Sequence, residues 1–346
     1  MQVAGADGRF GRAFEWLGVE RAWTRTRGDP GLVIAVLDAG LPPDHPWAAG
    51  IIAARESVAE GIAGIAPLVR VLPVTFGDGS DAHAPDLSHA VEHAVETGAS
   101  IIHIPASTDS TTACVTRAIQ YAAARNVLVV CAASPSIAAM RARAGDDPAP
   151  NQITVLSVNE RGEAHPAHAD AMADIAAPSF ARVPRAEGHE ELVDATVGGA
   201  YVSGCAALVK SQNPGWGYLE LKEHLRVSGT PLPSLGNRVE AGRVLDIANA
   251  VLGPIEIDAP ASGLQWSAFT DATLRWRLRY RSAFCLNTVA LYRRHGDEHW
   301  RELGYARAST GQMSIPASVM RRSDGILRIA CRESNFYSDE VTLSIR

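Results

Sequence analysis

A chain of 346 residues with 47% hydrophobic and 20% charged side chains is long enough to bury two cores, and its formal charge of −6 excludes a general basic field that would recruit nucleic acid or anionic membrane. No apolar run reaches the roughly 18 residues that a membrane span needs. The opening MQVAGADGRFGRAFEWLG lacks the basic-then-apolar order of a secretory signal, so the expected compartment is the cytoplasm.

In chain order, LVIAVL at residues 32–37 is a continuous apolar run ending in Asp38-Ala39-Gly40, the pattern of a buried parallel strand. Residues 69–75 read as a second such strand. LSHAVEHAVETGA at 87–99 has apolar residues at helical spacing, 101–104 is strand, 114–125 helix, and 127–132 another unbroken apolar strand. Residues 153–158 follow as strand, then a long irregular stretch reaches a buried helix at 197–214. This alternation predicts a doubly wound α/β fold with a mostly parallel sheet and helices on both faces.

The pattern changes at Gly253-Pro254. LRWRLRY, residues 274–280, alternates apolar residues with arginine, as a strand with one buried face does. VALYRR, WRELGYA, GILRIACRE and DEVTLSIR follow at short intervals, which predicts a smaller C-terminal antiparallel β-sandwich. The expected domains are 1–253 and 254–346.

The five cysteines are Cys114, Cys131, Cys205, Cys285 and Cys331, and none has metal-ligand spacing. No metal and no cofactor is therefore expected. Cys131 and Cys205 stand in apolar runs, where a thiol behaves as a small hydrophobe. A bond between Cys285 and Cys331 remains open, and the cytoplasmic expectation weighs against it.

Across about 230 residues the α/β part resembles the subtilisin-like serine peptidases, with seven segments in the family's order. AWTRTRGDPGLVIAVLDAG looks like the first strand ending in the triad aspartate, and GIAGIAPLVRVLPV like the "G-(V/I)-AP" turn and next strand. ASIIHIPAS stands where the family has a strand ending in Ser-Leu-Gly, and NVLVVCAAS where a strand leads to the oxyanion asparagine. NQITVLSVNERG with DIAAPS, GGAYVSGCAALVKSQNP and RVEAGRVLDIANAV resemble the remaining conserved strand, the helix of the nucleophile and the closing segment.

The resemblance implies a triad and an oxyanion donor, each of which can be sought. Asp38 stands at the aspartate position, where it either serves chemistry or caps the following turn. The histidine is missing from its expected place. His45-Pro46 matches a non-catalytic His-Pro that commonly follows the aspartate, and counting back from Gly50 puts Asp44 at the base position. A deletion that fused two motifs explains both, with His45 as the fallback base. The serine position falls on Thr196, in Asp194-Ala195-Thr196-Val197. A threonine nucleophile needs an adjacent base, and the plainer reading is an N-cap of the buried helix. Pro135 stands at the oxyanion asparagine position and supplies neither a side-chain donor nor an N–H. These vestigial positions predict a pseudoprotease.

Peptides bind this family as an added strand between two edges. The matching stretches carry Phe76, Gly77, Asp78 and Gly79 on one side and His103, Pro105 and Ser107 on the other, with Pro105 removing a backbone donor. Asp78, Gly79 and Asp81 are too short a run for a calcium loop and read as a solvated turn. A second surface is the row Arg275, Arg277, Arg279 and Arg281, either a solvated face or a dock for an acidic partner; residues 255–346 hold 13 Arg against 10 Asp and Glu. His89 and His93 read as ordinary surface or packing residues. The expectation is a cytoplasmic binding or scaffold protein for a peptide or protein partner, such as an active homologous protease, with no nucleic acid and no membrane. The alternative is a peptidase or other hydrolase using Asp38, His45 and Thr196.

Overall fold

The apolar runs become the middle of one sheet. The computed structural model describes residues 9–38, 47–76, 84–105, 113–134, 149–168, 171–184 and 188–346. They divide into two compact units, Met1–Ala248 and Asn249–Arg346, slightly before the turn at Gly253-Pro254.

The first unit is built on β1 (Val33–Asp38), β2 (Arg70–Thr75), β3 (Ile101–Ile104), β4 (Leu128–Ala132), β5 (Gln152–Val158), β6 (Ile175–Pro178), β9 (Thr230–Pro231) and β10 (Arg243–Val244). Their order is β2-β1-β3-β4-β5-β6-β10-β9, parallel throughout except for the terminal β9. Every residue of β3, β4 and β5 is buried, as strands covered on both faces must be. The expectation that 69–75 forms another buried strand is corrected: β2 is the sheet's edge and half exposed. Pro73 accounts for this, since a residue without an N–H is tolerated only where no further strand must pair.

One face of the sheet carries α4 (Ala84–Glu96) and α5 (Ala113–Ala123), whose apolar stripes close over Leu37, Ile102, Ile104 and Val129 in a shared core. The other face carries α3 (Trp47–Ala53) and α6 (Val197–Gln212). Helix α6 is buried from Val197 through Val209 and lies across β3 to β6. The stretch expected to be irregular holds β6 and an antiparallel hairpin of β7 (Phe180–Pro184) and β8 (His189–Val193).

In the second unit, β11 (Ile255–Ala259), β13 (Ala272–Leu278) and β16 (Gln312–Ile315) form one sheet. The other runs β12-β18-β17-β14-β15, from β12 (Leu264–Trp266), β14 (Asn287–Arg294), β15 (Arg301–Arg307), β17 (Ser323–Cys331) and β18 (Val341–Ile345). All neighbours pair antiparallel except β12 with β18. Alternation places Leu274 and Trp276 of β13 and Leu327 and Ile329 of β17 in the interior. Cys285 and Cys331 are bonded, with Cα atoms 5.0 Å apart, which corrects the weight placed against that pair. The antiparallel register of β14 with β17 sets Thr288 opposite Cys331 and so brings the segment before β14 alongside it.

Candidate functional site

In a sheet ordered 2-1-3-4-5 the chain reverses direction of growth between β1 and β3, and ligand sites of such sheets lie outside the carboxyl ends of those strands. Asp38 closes β1 opposite Thr75 of β2, at that end. Its side chain, together with His45, Pro135, Gly77, Asp78, Gly79 and Ser107, lies outside the described residues.

Thr196 immediately precedes α6. It holds the N-cap position but makes no capping bond through its side chain, so the expected capping role is corrected. Its hydroxyl donates instead to Oδ1 of Asp194 at 2.6 Å, and its backbone N–H donates to the same oxygen at 2.8 Å. Two residues back is the reach of an Asx turn, which competes with the cap for the hydroxyl. No ring nitrogen among the described residues hydrogen-bonds that hydroxyl.

The cap comes from the sheet. Ser157 on β5 accepts from Gly198 N–H at 3.2 Å and donates to the Ala195 carbonyl at 2.6 Å. Glycine at 198 permits this approach, because a Cβ there would stand 2.7 Å from Ser157 Oγ. Ser157 N–H donates in turn to Nδ1 of the buried His168 at 3.1 Å. Burial, chiefly, with His165 and Arg238 nearby, lowers the pKa of His168 to about 4 against the opposing pull of Asp194. A neutral ring whose Nδ1 accepts carries its proton on Nε2. Neither nitrogen is then free to take a proton from Thr196.

His103 was expected on a peptide-binding edge, and this is corrected: its ring is fully buried beneath α6, with Nδ1 3.1 Å from Ser203 Oγ. Its Nε2 has no hydrogen-bond partner among the described residues, and burial pushes its pKa down to about 3. Phe76 likewise belongs to the core shared with α4 and α5 instead of an exposed edge, and Pro105 is buried. The alternation of β13 turns Arg275 and Arg277 outward but not Arg279, whose side chain is 10% exposed, and Arg277 pairs with Glu256 at 2.8 Å and Asp258 at 3.4 Å. Arg279, past the end of β13, donates to the carbonyls of Gly253 and Ile255 and lies 3.5 Å from Glu256. Arg275 and Arg281 are exposed; so are His89 and His93.

Asp194, Ser157 and His168 were not anticipated as neighbours of this helix head, nor Ser203 as the partner of His103. Ser157 and His168 sit on separate segments brought together only by the fold, whereas Asp194, two residues from Thr196, was within reach of a local Asx-turn reading. Among the described residues, no group of three or more His, Cys, Asp or Glu side chains is placed to hold a metal ion.

Residues 47–240, more than half of the chain, match the family model described as the subtilase family, Peptidase_S8. A thermophilic serine proteinase of Bacillus sp. (strain AK1) is 26% identical over 256 residues, covering 64% of this chain and 62% of that protein. Alkaline elastase YaB of Bacillus sp. (strain YaB) is 28% identical over 211 residues, covering 58% and 53%. The chain thus spans less than two thirds of the length of these curated relatives. Among solved structures, MycP1 with its N-terminal propeptide removed is 22% identical with a TM-score of 0.54, over 69% of this chain and 96% of that one, a likeness of fold. The prenylagaramide maturation protease PagA is 26% identical with a TM-score of 0.52, over 68% and 97%.

Proposed function

The chain belongs to the subtilase family, and we propose that it is a catalytically degenerate member, a pseudoprotease that binds a peptide or protein partner at the crevice beyond β1 and β3. The observation that carries this reading is the grip of Asp194 on Thr196. Acyl transfer requires a hydroxyl that a base can deprotonate and N–H donors aimed at the oxygen where negative charge develops. Here the hydroxyl and the adjacent N–H are both spent on a carboxylate, which itself brings negative charge to the place where an oxyanion would need the opposite. Pro135 at the asparagine position removes a further donor, a change worth about 10²–10³ in turnover where such donors have been deleted. The family's histidine is missing from its expected place in the sequence, so no imidazole stands there to accept the proton.

A second reading, a hydrolase working through Asp38, His45 and Thr196, is favoured by the relatives, whose names describe a proteinase, an elastase and a maturation protease. Labelling by a fluorophosphonate probe and casein turnover separate the two. The full chain is expected to remain at background in both assays, unchanged by Thr196→Ala or Asp38→Ala. Labelling or turnover that either substitution abolishes overturns the pseudoprotease. Titration against a peptide array tests the binding half: saturable binding lost in Gly79→Val supports it, and absence of binding counts against it.

A further inference from the structure

The second unit holds a cavity of about 240 Å³ at the end of its five-stranded sheet, among β14, β15, the start of β17 and the end of β18. Tyr292 lies in its wall, buried, its hydroxyl bonded to the carbonyl and Oγ of Ser323 at 3.1 Å. Antiparallel pairing sets Arg301 of β15 directly opposite Tyr292 of β14. Arg294, Arg321 and Arg322 complete a lining of four guanidinium groups that also includes His299, and Asp297 is its one carboxylate.

Of the nine arginines elsewhere in this unit five lie beside a carboxylate, and the other four, Arg275, Arg281, Arg293 and Arg307, do not line this cavity, so what sets the cavity apart is that four guanidinium groups unpaired among the described residues share one site. Arg277, Arg332 and Arg346 each lie within 2.8 Å of a carboxylate oxygen, and Arg279 and Arg328 within 3.9 Å. Among the described residues none of the four cavity arginines forms an ion pair; Arg322 rests over the Phe269 ring, 4.9 Å from its centroid. Four like charges around one cavity repel, and the repulsion weakens when an anion enters. A lone carboxylate brings one negative charge, whereas a phosphoryl monoester brings about 1.5 to 2 and three acceptor oxygens. The planar guanidinium fork matches such oxygens two at a time. The volume is roughly that of eight waters in the liquid, room for two linked phosphoryl groups.

We propose that this cavity binds the phosphoryl groups of a small soluble polyanion of the pyrophosphate or bisphosphate class. The site is independent of how the α/β unit is read.

Calorimetric titration of the full chain with pyrophosphate, and with citrate at matched ionic strength, tests it. The expected result is saturable one-site binding of pyrophosphate at least about tenfold tighter than citrate, weakening with added salt. The double variant Arg301→Gln/Arg321→Gln should bind at least about tenfold more weakly, because two of the four forks are gone. Both side chains are exposed, so its melting curve without ligand should match that of the unsubstituted protein. Arg275→Gln, on β13, should bind as the unsubstituted chain does. Equal affinity for citrate, unsaturable binding, or full affinity in the double variant overturns the proposal. If the double variant melts early, Arg322→Gln alone replaces it, and undiminished affinity there is equally fatal.

Discussion

The amide and hydroxyl of Thr196 meet one oxygen of Asp194, while the turn beyond them hangs from a single serine on the neighbouring strand. Ser157 serves two backbone groups at once, so Ser157→Ala strands the Gly198 N–H and the Ala195 carbonyl together. The expected cost is about 1–3 kcal/mol, read from urea unfolding. The buried rings add a pH dependence. His168 and His103 have folded pKa values of about 4 and about 3, against 6.5 when unfolded. Below pH 6.5 the unfolded chain takes up protons that the folded chain refuses, so stability falls with falling pH, and the loss accumulates until the folded values are reached. Melting temperatures should therefore drop between pH 7 and pH 5.5, above the range where carboxylates titrate. A flat profile there would refute neutral burial of both rings.

At the level of elements, β3, β4 and β5 were legible because strands covered on both faces must be apolar at every position. An apolar run does not report where its strand stands in the sheet, which is why β2 read as buried although Pro73 pointed to an edge. The hairpin of β7 and β8 was hidden: FARVP and HEELV mix apolar, charged and proline residues without a clean period. On β13 the alternation located the arginines correctly, yet Glu256 and Asp258 come to them through the register of β11, a long-range fact absent from local spacing. His103 inside IIHIP gave no local sign that its partner would be Ser203, a hundred positions on. Seating of α6 depends on small residues at its head. Gly198→Ala would drive a methyl against Ser157 Oγ and to 3.1 Å from a Val155 methyl, and should cost about 1–3 kcal/mol of stability, measured by thermal or denaturant melting.

For the molecule as a whole, Cys285–Cys331 closes a loop with a sequence separation of 46, worth about 4 kcal/mol by chain-entropy reasoning. Reductant should lower the melting of the second unit by a comparable margin, and the Cys285→Ser/Cys331→Ser variant should melt alike with and without it. Trapping thiols at the moment of cell lysis tests the compartment: free thiols support the cytoplasm, and a bonded pair argues for an oxidising one. The hold of Asp194 on Thr196 also bears on ancestry. A serine placed at 196 would hand its hydroxyl to the same carboxylate. On the pseudoprotease reading proposed above, gaining turnover takes changes at 135 and before Gly50 as well, and no single one of them is rewarded by activity.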